Sequence, residues 1–209
     1  LVPIRLDLEL DGAKLRDTFT WNLNETLVTP DIFADLLCTD LALPPVPFAA
    51  AIAKSIRDQV ADFSEPDIPT TETGEEVMDR DELRTVVKLD ITIGSQCLVD
   101  QFEWDINCGR NQPEIFAEHM TNELGLHPEF RTAIAHSIRE QIQSHLRSLF
   151  LADHPLDGTR SMDDDLAACF LPPLTSERVL RGVKGREAFG PFLKPVEPGG
   201  AREEKEASR

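Results

Sequence analysis

The sequence predicts an α+β protein made of two tandem β-β-α-α repeats, joined by an acidic linker and followed by a mostly irregular C-terminal extension. Three observations predict this class. The segment DTFTWNLN at Asp17 returns as DQFEWDIN at Asp100. In each copy, a stretch in which apolar and polar residues alternate is followed by stretches whose apolar residues have the spacing of one helix face. An acid-rich stretch then separates the two copies.

The repetition extends well beyond the tryptophan segments. IRLDLEL at Ile4 aligns with VKLDITI at Val87, TPDIFADLL with QPEIFAEHM, and FAAAIAKSIRDQV with FRTAIAHSIREQI. About twenty of about sixty aligned positions are identical, a span that suits one supersecondary unit per copy. We therefore assign residues 1–63 to repeat 1 and residues 86–150 to repeat 2.

Each repeat opens with a predicted β-hairpin. Apolar residues alternate with polar ones from residue 2 to residue 10 and from residue 87 to residue 93, which is typical of half-buried strands. Asp11-Gly12 and Gly94-Ser95 supply the turns. Trp21 and Trp104 occupy equivalent positions in the second strands, so we predict that both are core anchors.

Two helices follow each hairpin. Thr29-Pro30-Asp31 predicts a helix start, because Thr caps free amides, Pro suits the first turn and Asp favours the positive end of the helix dipole. We expect the apolar face of this helix to comprise Ile32, Phe33, Leu36 and Leu37. The second helix of each copy carries apolar residues at steps of four, from Phe48 and from Phe130.

Arg57 and Arg139 are also equivalent. They either form ion pairs across the two-helix layer or face a partner. Because about sixty residues bury only about 60% of their unfolded surface, each repeat is expected to lean on its sister copy or on another protein.

Charge is unevenly distributed along the chain. Residues 64–85 carry eight acids and two prolines, which predicts a flexible acidic linker. In the C-terminal extension, residues 151–209, the basic segment 178–186 holds Arg178, Arg181, Lys184 and Arg186. This basic segment either pairs with the protein's own acids or attaches to an acidic surface, for which the arginine fork is well suited. The tail from Glu197 is expected to be disordered.

Composition and motifs exclude several functions. The formal charge of −17 disfavours broad binding to DNA or an anionic membrane, and no stretch approaches the roughly 18 apolar residues that span a bilayer. The four cysteines form no CxxC pair, and there is no P-loop, GxGxxG or GxSxG motif. We assign no catalytic residue, cofactor or metal site, and we expect Asp163-Asp164-Asp165 to be a solvated loop.

The residues resemble a known family. LVPIRLDLELDGAKLRDTFTWNLNE, TPDIFADLLCTDL and AIAKSIRDQV, followed by LVDQFEWDIN, PEIFA and FRTAIAHSIREQI, resemble the Snf-five / integrase-interactor core subunit of SWI/SNF-type chromatin remodellers. The resemblance covers about residues 1–150, with both copies in order. It implies two tandem β-β-α-α repeats in a nuclear, non-enzymatic subunit of a complex whose separate ATPase moves nucleosomes.

The resemblance also implies partners. Repeat 1 would hold the SWIRM domain of a Swi-three-type scaffold subunit, and we place that contact at Phe33, Leu36, Leu37, Asp40, Leu41 and Leu43. The basic segment would contact the acidic patch of the histone octamer through Arg178, Arg181, Lys184 and Arg186. No direct binding to DNA or to membranes is expected.

Two other functions remain open from the sequence. One is a transcription-factor adaptor that acts outside any remodeller. The other is an enzyme with a site between the repeats, which only scattered histidines and acids support.

Overall fold

The computed structural model describes residues 1–63, 82–154, 161, 163–172 and 189–196. The strands are β1 Val2–Leu10, β2 Ala13–Trp21, β3 Arg84–Ile93, β4 Gln96–Asp105 and β5 Phe192–Pro195, and the helices are α1 Pro30–Asp40, α2 Pro45–Ala61, α3 Pro113–Glu123, α4 Glu129–Leu151 and α5 Asp164–Ala168. The prediction of two β-β-α-α repeats in an α+β protein is confirmed.

Both hairpins are antiparallel and joined by two-residue turns. In repeat 1 Leu10 lies opposite Ala13. Asp11 and Gly12 between them have φ values of +51° and +79°. Positive φ at both positions matches the right-handed twist of the strands, which is why Asp-Gly favours such turns. In repeat 2 the turn residue Gly94 has φ +57°.

Each repeat has its own hydrophobic core between hairpin and helices. In both repeats the second-strand tryptophan is buried, as predicted, and packs edge-to-face on a phenylalanine of the first helix. Ring centroids are 5.5 Å apart for Trp21 and Phe33, and 5.6 Å apart for Trp104 and Phe116. The side chains of Phe48 and Phe130 are fully buried at the starts of α2 and α4.

The two arginines form ion pairs across the helix layer, which is one of the two alternatives that the sequence left open. Arg57 on α2 donates to Asp31 on α1 at 2.7 Å. Arg139 on α4 makes two bonds to Glu114 on α3, at 2.5 and 2.6 Å. Arg57 and Arg139, which are equivalent in the sequence, therefore make equivalent ion pairs in the structure.

The repeats contact each other through α4, which packs on β3 of its own repeat and on β1 and β2 of repeat 1. Arg5 of β1 donates two bonds to Glu140 of α4, at 2.9 and 2.8 Å. The hydrogen bond from Arg5 lowers the pKa of the Glu140 carboxyl. Arg147 of α4 reaches Asp62 at 2.7 Å. Repeat 1 thus packs against repeat 2.

The second repeat begins earlier than its predicted boundary, because β3 includes Arg84 and Thr85. The Arg84 guanidinium donates to Glu103 across the hairpin and, at 2.9 Å, to the Pro172 carbonyl. The Thr85 hydroxyl donates to the Cys169 carbonyl at 3.0 Å. These partners are distant in sequence, so local composition could not indicate them.

The described residues of the C-terminal extension contribute two short elements. The expectation that Asp163-Asp164-Asp165 is a loop is wrong, since Asp163 caps α5 by accepting a hydrogen bond from the Leu166 N–H at 2.9 Å. The strand β5 pairs antiparallel with β4. Most of the acidic linker, the basic segment 178–186 and the tail from Glu197 lie outside the described residues.

Candidate functional site

Helix α1 presents apolar side chains to solvent. Its N-terminus is the predicted one, with the Thr29 hydroxyl accepting from the Ile32 N–H at 3.3 Å. The side chains buried against the core are Ala34 and Cys38. Ile32 and Leu36, which are 46% and 55% exposed, lie one turn apart on the outer side.

The predicted apolar face of α1 is therefore partly wrong. Phe33 and Leu37 are half-buried against the first core, as expected. Ile32 and Leu36 instead face water. The side chains of α1 that are buried in the first core are the smaller Ala34 and Cys38, so the core-facing stripe is displaced from the largest residues.

The end of α1 explains how its last apolar residues are divided between core and surface. The N–H of Leu43 bonds the Cys38 carbonyl at 2.9 Å, and the N–H of Ala42 bonds the Thr39 carbonyl at 3.3 Å. This is a Schellman motif, in which the residue after the left-handed position folds back on the helix. Leu43 therefore packs on the first core, whereas Leu41 is 50% exposed.

The six predicted SWIRM contacts thus fall into two groups. Phe33, Leu37 and Leu43 support the helix from the core side. Leu36, Asp40 and Leu41 are exposed. We define the α1 surface as Ile32, Leu36, Asp40 and Leu41.

The loop before α1 adds a further apolar residue, Leu27, which is 84% exposed. The Glu25 carboxylate holds this loop by accepting from the N–H groups of Val28 and Leu27, at 3.0 and 2.7 Å. These two backbone bonds lower the pKa of Glu25. Leu27 was not among the residues predicted to contact a partner.

Repeat 2 is more polar at two of the equivalent positions, although Ile115, the counterpart of Ile32, is also exposed. Leu27 aligns with Arg110 and Leu36 aligns with His119. Leu41 aligns with Leu124, which is half-buried against the second core. The alignment of the two copies shows which positions are apolar in one copy and polar in the other. This difference in polarity is the signal that could have identified Leu27.

Acidic groups surround the α1 surface. The helix carries Asp31, Asp35 and Asp40 and no basic residue. Arg57 pairs with Asp31. Burial, followed by the negative charge of Asp35, raises the pKa of the Cys38 thiol, so this cysteine stays protonated beneath the surface. A partner suited to this surface combines apolar side chains with basic ones.

A polar groove of about 690 Å³ lies between the repeats, lined by β1, β2, β3 and the start of α4. Its charged residues pair with each other or with neighbours: Arg16 contacts Asp7 at 3.3 Å, and Arg5 contacts Glu140. His136 lines the groove and is 2% exposed. Burial is the main cause that lowers its pKa.

The described residues hold no group of three or more side chains placed to bind a metal ion. Within the same residues, every helix is too short or too polar to cross a bilayer. The four predicted acidic-patch residues, Arg178, Arg181, Lys184 and Arg186, lie outside the described part of the chain.

Comparison with known proteins gives a consistent set of relatives. A family model described as SNF5 / SMARCB1 / INI1 matches residues 1–199. The SWI/SNF chromatin-remodeling complex subunit SNF5 of Saccharomyces cerevisiae is 40% identical over 198 residues, which cover 92% of this chain and 22% of that protein. The snf5 subunit of Schizosaccharomyces pombe is 38% identical over 222 residues, covering 92% of this chain and 35% of that protein.

A plant protein shows similar identity over a shorter span. The chromatin structure-remodeling complex protein BSH of Arabidopsis thaliana is 38% identical over 143 residues, covering 68% of this chain and 56% of that protein. The chain therefore spans only part of the length of each of these relatives.

Proposed function

The chain belongs to the SNF5 / SMARCB1 / INI1 family, and we propose that it acts in the nucleus as a non-catalytic scaffold subunit of a SWI/SNF-type ATP-dependent chromatin-remodelling complex. The names of its relatives, subunits of chromatin-remodelling complexes, support this proposal. The alternative is a transcription-factor adaptor that works outside a remodeller. Co-purification of the native protein with a remodeller ATPase supports the first, and its absence from such a complex supports the second.

Repeat 1 docks the SWIRM domain of a Swi-three-type scaffold subunit. The observation that carries this step is the α1 surface, where Leu36 and Leu41 are 55% and 50% exposed. Exposed apolar residues with a polar rim are typical of protein-binding sites. Phe33, Leu37 and Leu43 hold the surface rigid from the core side, which limits the entropy lost on binding.

The test is the affinity of the 209-residue chain for an isolated SWIRM domain. Leu36→Asp places a charge in the centre of the α1 surface and is expected to weaken binding by about thirtyfold, because a central apolar anchor contributes about 2 kcal/mol or more. The matched control is His119→Asp, the same substitution at the equivalent exposed position of α3. Equal binding by Leu36→Asp and wild type would remove this proposal.

The basic segment contacts the acidic patch of the histone octamer. The sequence supports this, since Arg178, Arg181, Lys184 and Arg186 lie close together in a protein of net charge −17. Arginine grips carboxylates in a two-pronged geometry, so each contact is strong and sensitive to salt.

Replacement of Arg178 and Arg181 by Ala tests this second contact. Nucleosome binding is expected to fall while SWIRM binding stays unchanged. Nucleosomes whose acidic patch has been neutralised should bind the wild-type chain no better than they bind the variant. Undiminished binding of the wild-type chain to such nucleosomes contradicts the proposal.

A further inference from the structure

In the part of the chain that the structure describes, the second strand of repeat 1 has an open edge, whereas that of repeat 2 has a covered one. In repeat 2, β5 pairs antiparallel with the outer edge of β4, placing Phe192 opposite Val99 and Lys194 opposite Cys97. The equivalent strand of repeat 1 is β2. Among the described residues, β2 pairs only with β1. An open edge presents backbone N–H and C=O groups that can accept another strand.

The register shows which groups of β2 point outward. In an antiparallel pair, residues alternate between bonding the partner strand and pointing away from it. Arg5 of β1 points away, because its N–H and C=O bond the side chain of Gln59 at 3.0 and 2.9 Å. Arg5 lies opposite Thr18. Lys14 and Arg16, four and two residues before Thr18, therefore also direct their N–H and C=O groups outward.

The same positions are the ones that β5 covers in repeat 2. Lys14 and Arg16 align with Cys97 and Val99. In repeat 2 the outward N–H and C=O groups of Lys88 on β3 bond the Gln141 side chain of α4, as those of Arg5 on β1 bond Gln59. The outer edges of the two first strands are therefore alike at this position, and the repeats differ at the second strand.

We propose that β2 of repeat 1 accepts an extended segment of a partner protein as a third antiparallel strand, and that this segment has the pattern acid–aliphatic–acid. The two acids would lie opposite Lys14 and Arg16, whose side chains are 59% and 73% exposed. On the β1 side these residues already pair with Glu9 at 3.0 Å and with Asp7 at 3.3 Å. With acids on the added strand, Lys14 and Arg16 would each have a negative charge on both sides. Opposite charges directly across neighbouring strands are stabilising.

The central aliphatic residue follows from the other face of the sheet. In repeat 2, Leu193 of β5 lies opposite the buried Leu98. The equivalent residue in repeat 1 is Leu15, which is also buried. An aliphatic residue opposite Leu15 would occupy the position in repeat 1 that Leu193 occupies in repeat 2, beside a buried leucine of the second strand.

A second copy of this chain fits the edge less well. Its own β5 segment, in the register seen on β4, would place Lys194 opposite Lys14. Like charges directly opposite each other are destabilising. The net charge of −17 repels an acidic segment at long range, so we expect a modest affinity. The preference for acids in the added strand therefore comes from the nearby charges of Lys14 and Arg16.

The test uses the 209-residue chain and two labelled peptides, one with a central Glu-Ile-Glu and one with Lys-Ile-Lys, flanked by the same uncharged residues. The Glu-Ile-Glu peptide is expected to bind at least tenfold more tightly. At saturation, it should slow amide hydrogen exchange at Lys14 and Arg16 by tenfold or more, because those N–H groups become hydrogen-bonded.

Two variants separate the charge from the backbone. Lys14→Glu with Arg16→Glu should reverse the peptide preference, while the control Lys54→Glu on α2 should not. Arg16→Pro removes one outward N–H at an edge position, where proline is tolerated, and should abolish binding. If the proline variant fails to fold, the charge reversal decides.

Three results would overturn the proposal. They are equal binding of the two peptides to the wild-type chain, unchanged exchange at Lys14 and Arg16, and protection of these amides by concentration-dependent self-association. The last result would assign the edge to a second copy.

Discussion

At the scale of residues, the two repeats share individual contacts as well as sequence. Gln59 bonds both backbone groups of Arg5, and Gln141 bonds both backbone groups of Lys88. The alignment predicted the buried tryptophans and offered the arginine ion pairs as one of two alternatives. It did not predict the glutamine contacts, because their partners are backbone groups that no side-chain pattern reveals.

His136 differs from its counterpart in repeat 1 in its environment. Its counterpart in α2 is Lys54, which is exposed, whereas His136 is buried beside repeat 1. Desolvation is the main cause that lowers its pKa. Glu140 and Asp17 raise this pKa, and Arg5 lowers it. The sequence placed His136 on a helix but could not show that the neighbouring repeat buries it.

The lowered pKa of His136 predicts how stability depends on pH. In the unfolded chain the His136 side chain binds a proton with a pKa near 6.5, and in the folded chain it binds this proton only at lower pH. The stabilisation from neutral His136 is therefore complete above about pH 6.5 and is lost as pH falls through the folded pKa. The free energy of unfolding between pH 7.5 and 5.5 should decline less steeply for His136→Gln than for wild type.

Urea denaturation of wild type and His136→Gln at the two pH values measures the two slopes. Equal slopes for wild type and His136→Gln would mean that His136 titrates normally in the folded chain.

At the scale of elements, α1 shows where sequence patterns lose their predictive value. Its start at Thr29 and its approximate length were predictable from capping residues and spacing. Which side of the helix is buried was not, because both sides carry large apolar residues. The position of α2 decides that Ala34 and Cys38 face inward.

The end of α1 also yields a stability prediction. Ala42 has φ +52°, while its counterpart Gly125 has φ +62°. Because glycine adopts this left-handed conformation without steric cost, Ala42→Gly should raise the free energy of unfolding by about 0.5–1 kcal/mol. Urea denaturation measures the change.

The reverse substitution in repeat 2 is the control for Ala42→Gly. A Cβ atom added at Gly125 would meet no atom within 4 Å, so Gly125→Ala should destabilise through the backbone alone and by a similar amount. A less stable Ala42→Gly variant would contradict this explanation.

At the scale of the whole molecule, the arrangement of the two repeats was not predictable from the sequence. The duplicated pattern specifies each unit, but α4 also packs on the hairpin of repeat 1, and Arg5 and Glu140 are distant in the chain. Nothing in local spacing indicates such contacts.

These contacts predict cooperative unfolding of both repeats. Trp21→Phe leaves Trp104 as the fluorescent probe of repeat 2, and Trp104→Phe leaves Trp21 as the probe of repeat 1. In each variant, the fluorescence and far-UV circular dichroism transitions in urea should coincide. A fluorescence transition that precedes loss of secondary structure would show that one repeat unfolds alone.

The central claim is that two copies of one fold differ in surface, and that repeat 1 docks a SWIRM domain on α1. Amide hydrogen exchange of the wild-type chain, with and without a SWIRM domain, tests this most directly, because α1 and α3 serve as probe and internal control in one experiment. Exchange should slow in Pro30–Asp40 and remain nearly unchanged in Pro113–Glu123. Slowing confined to α3, or equal in both helices, would contradict the account.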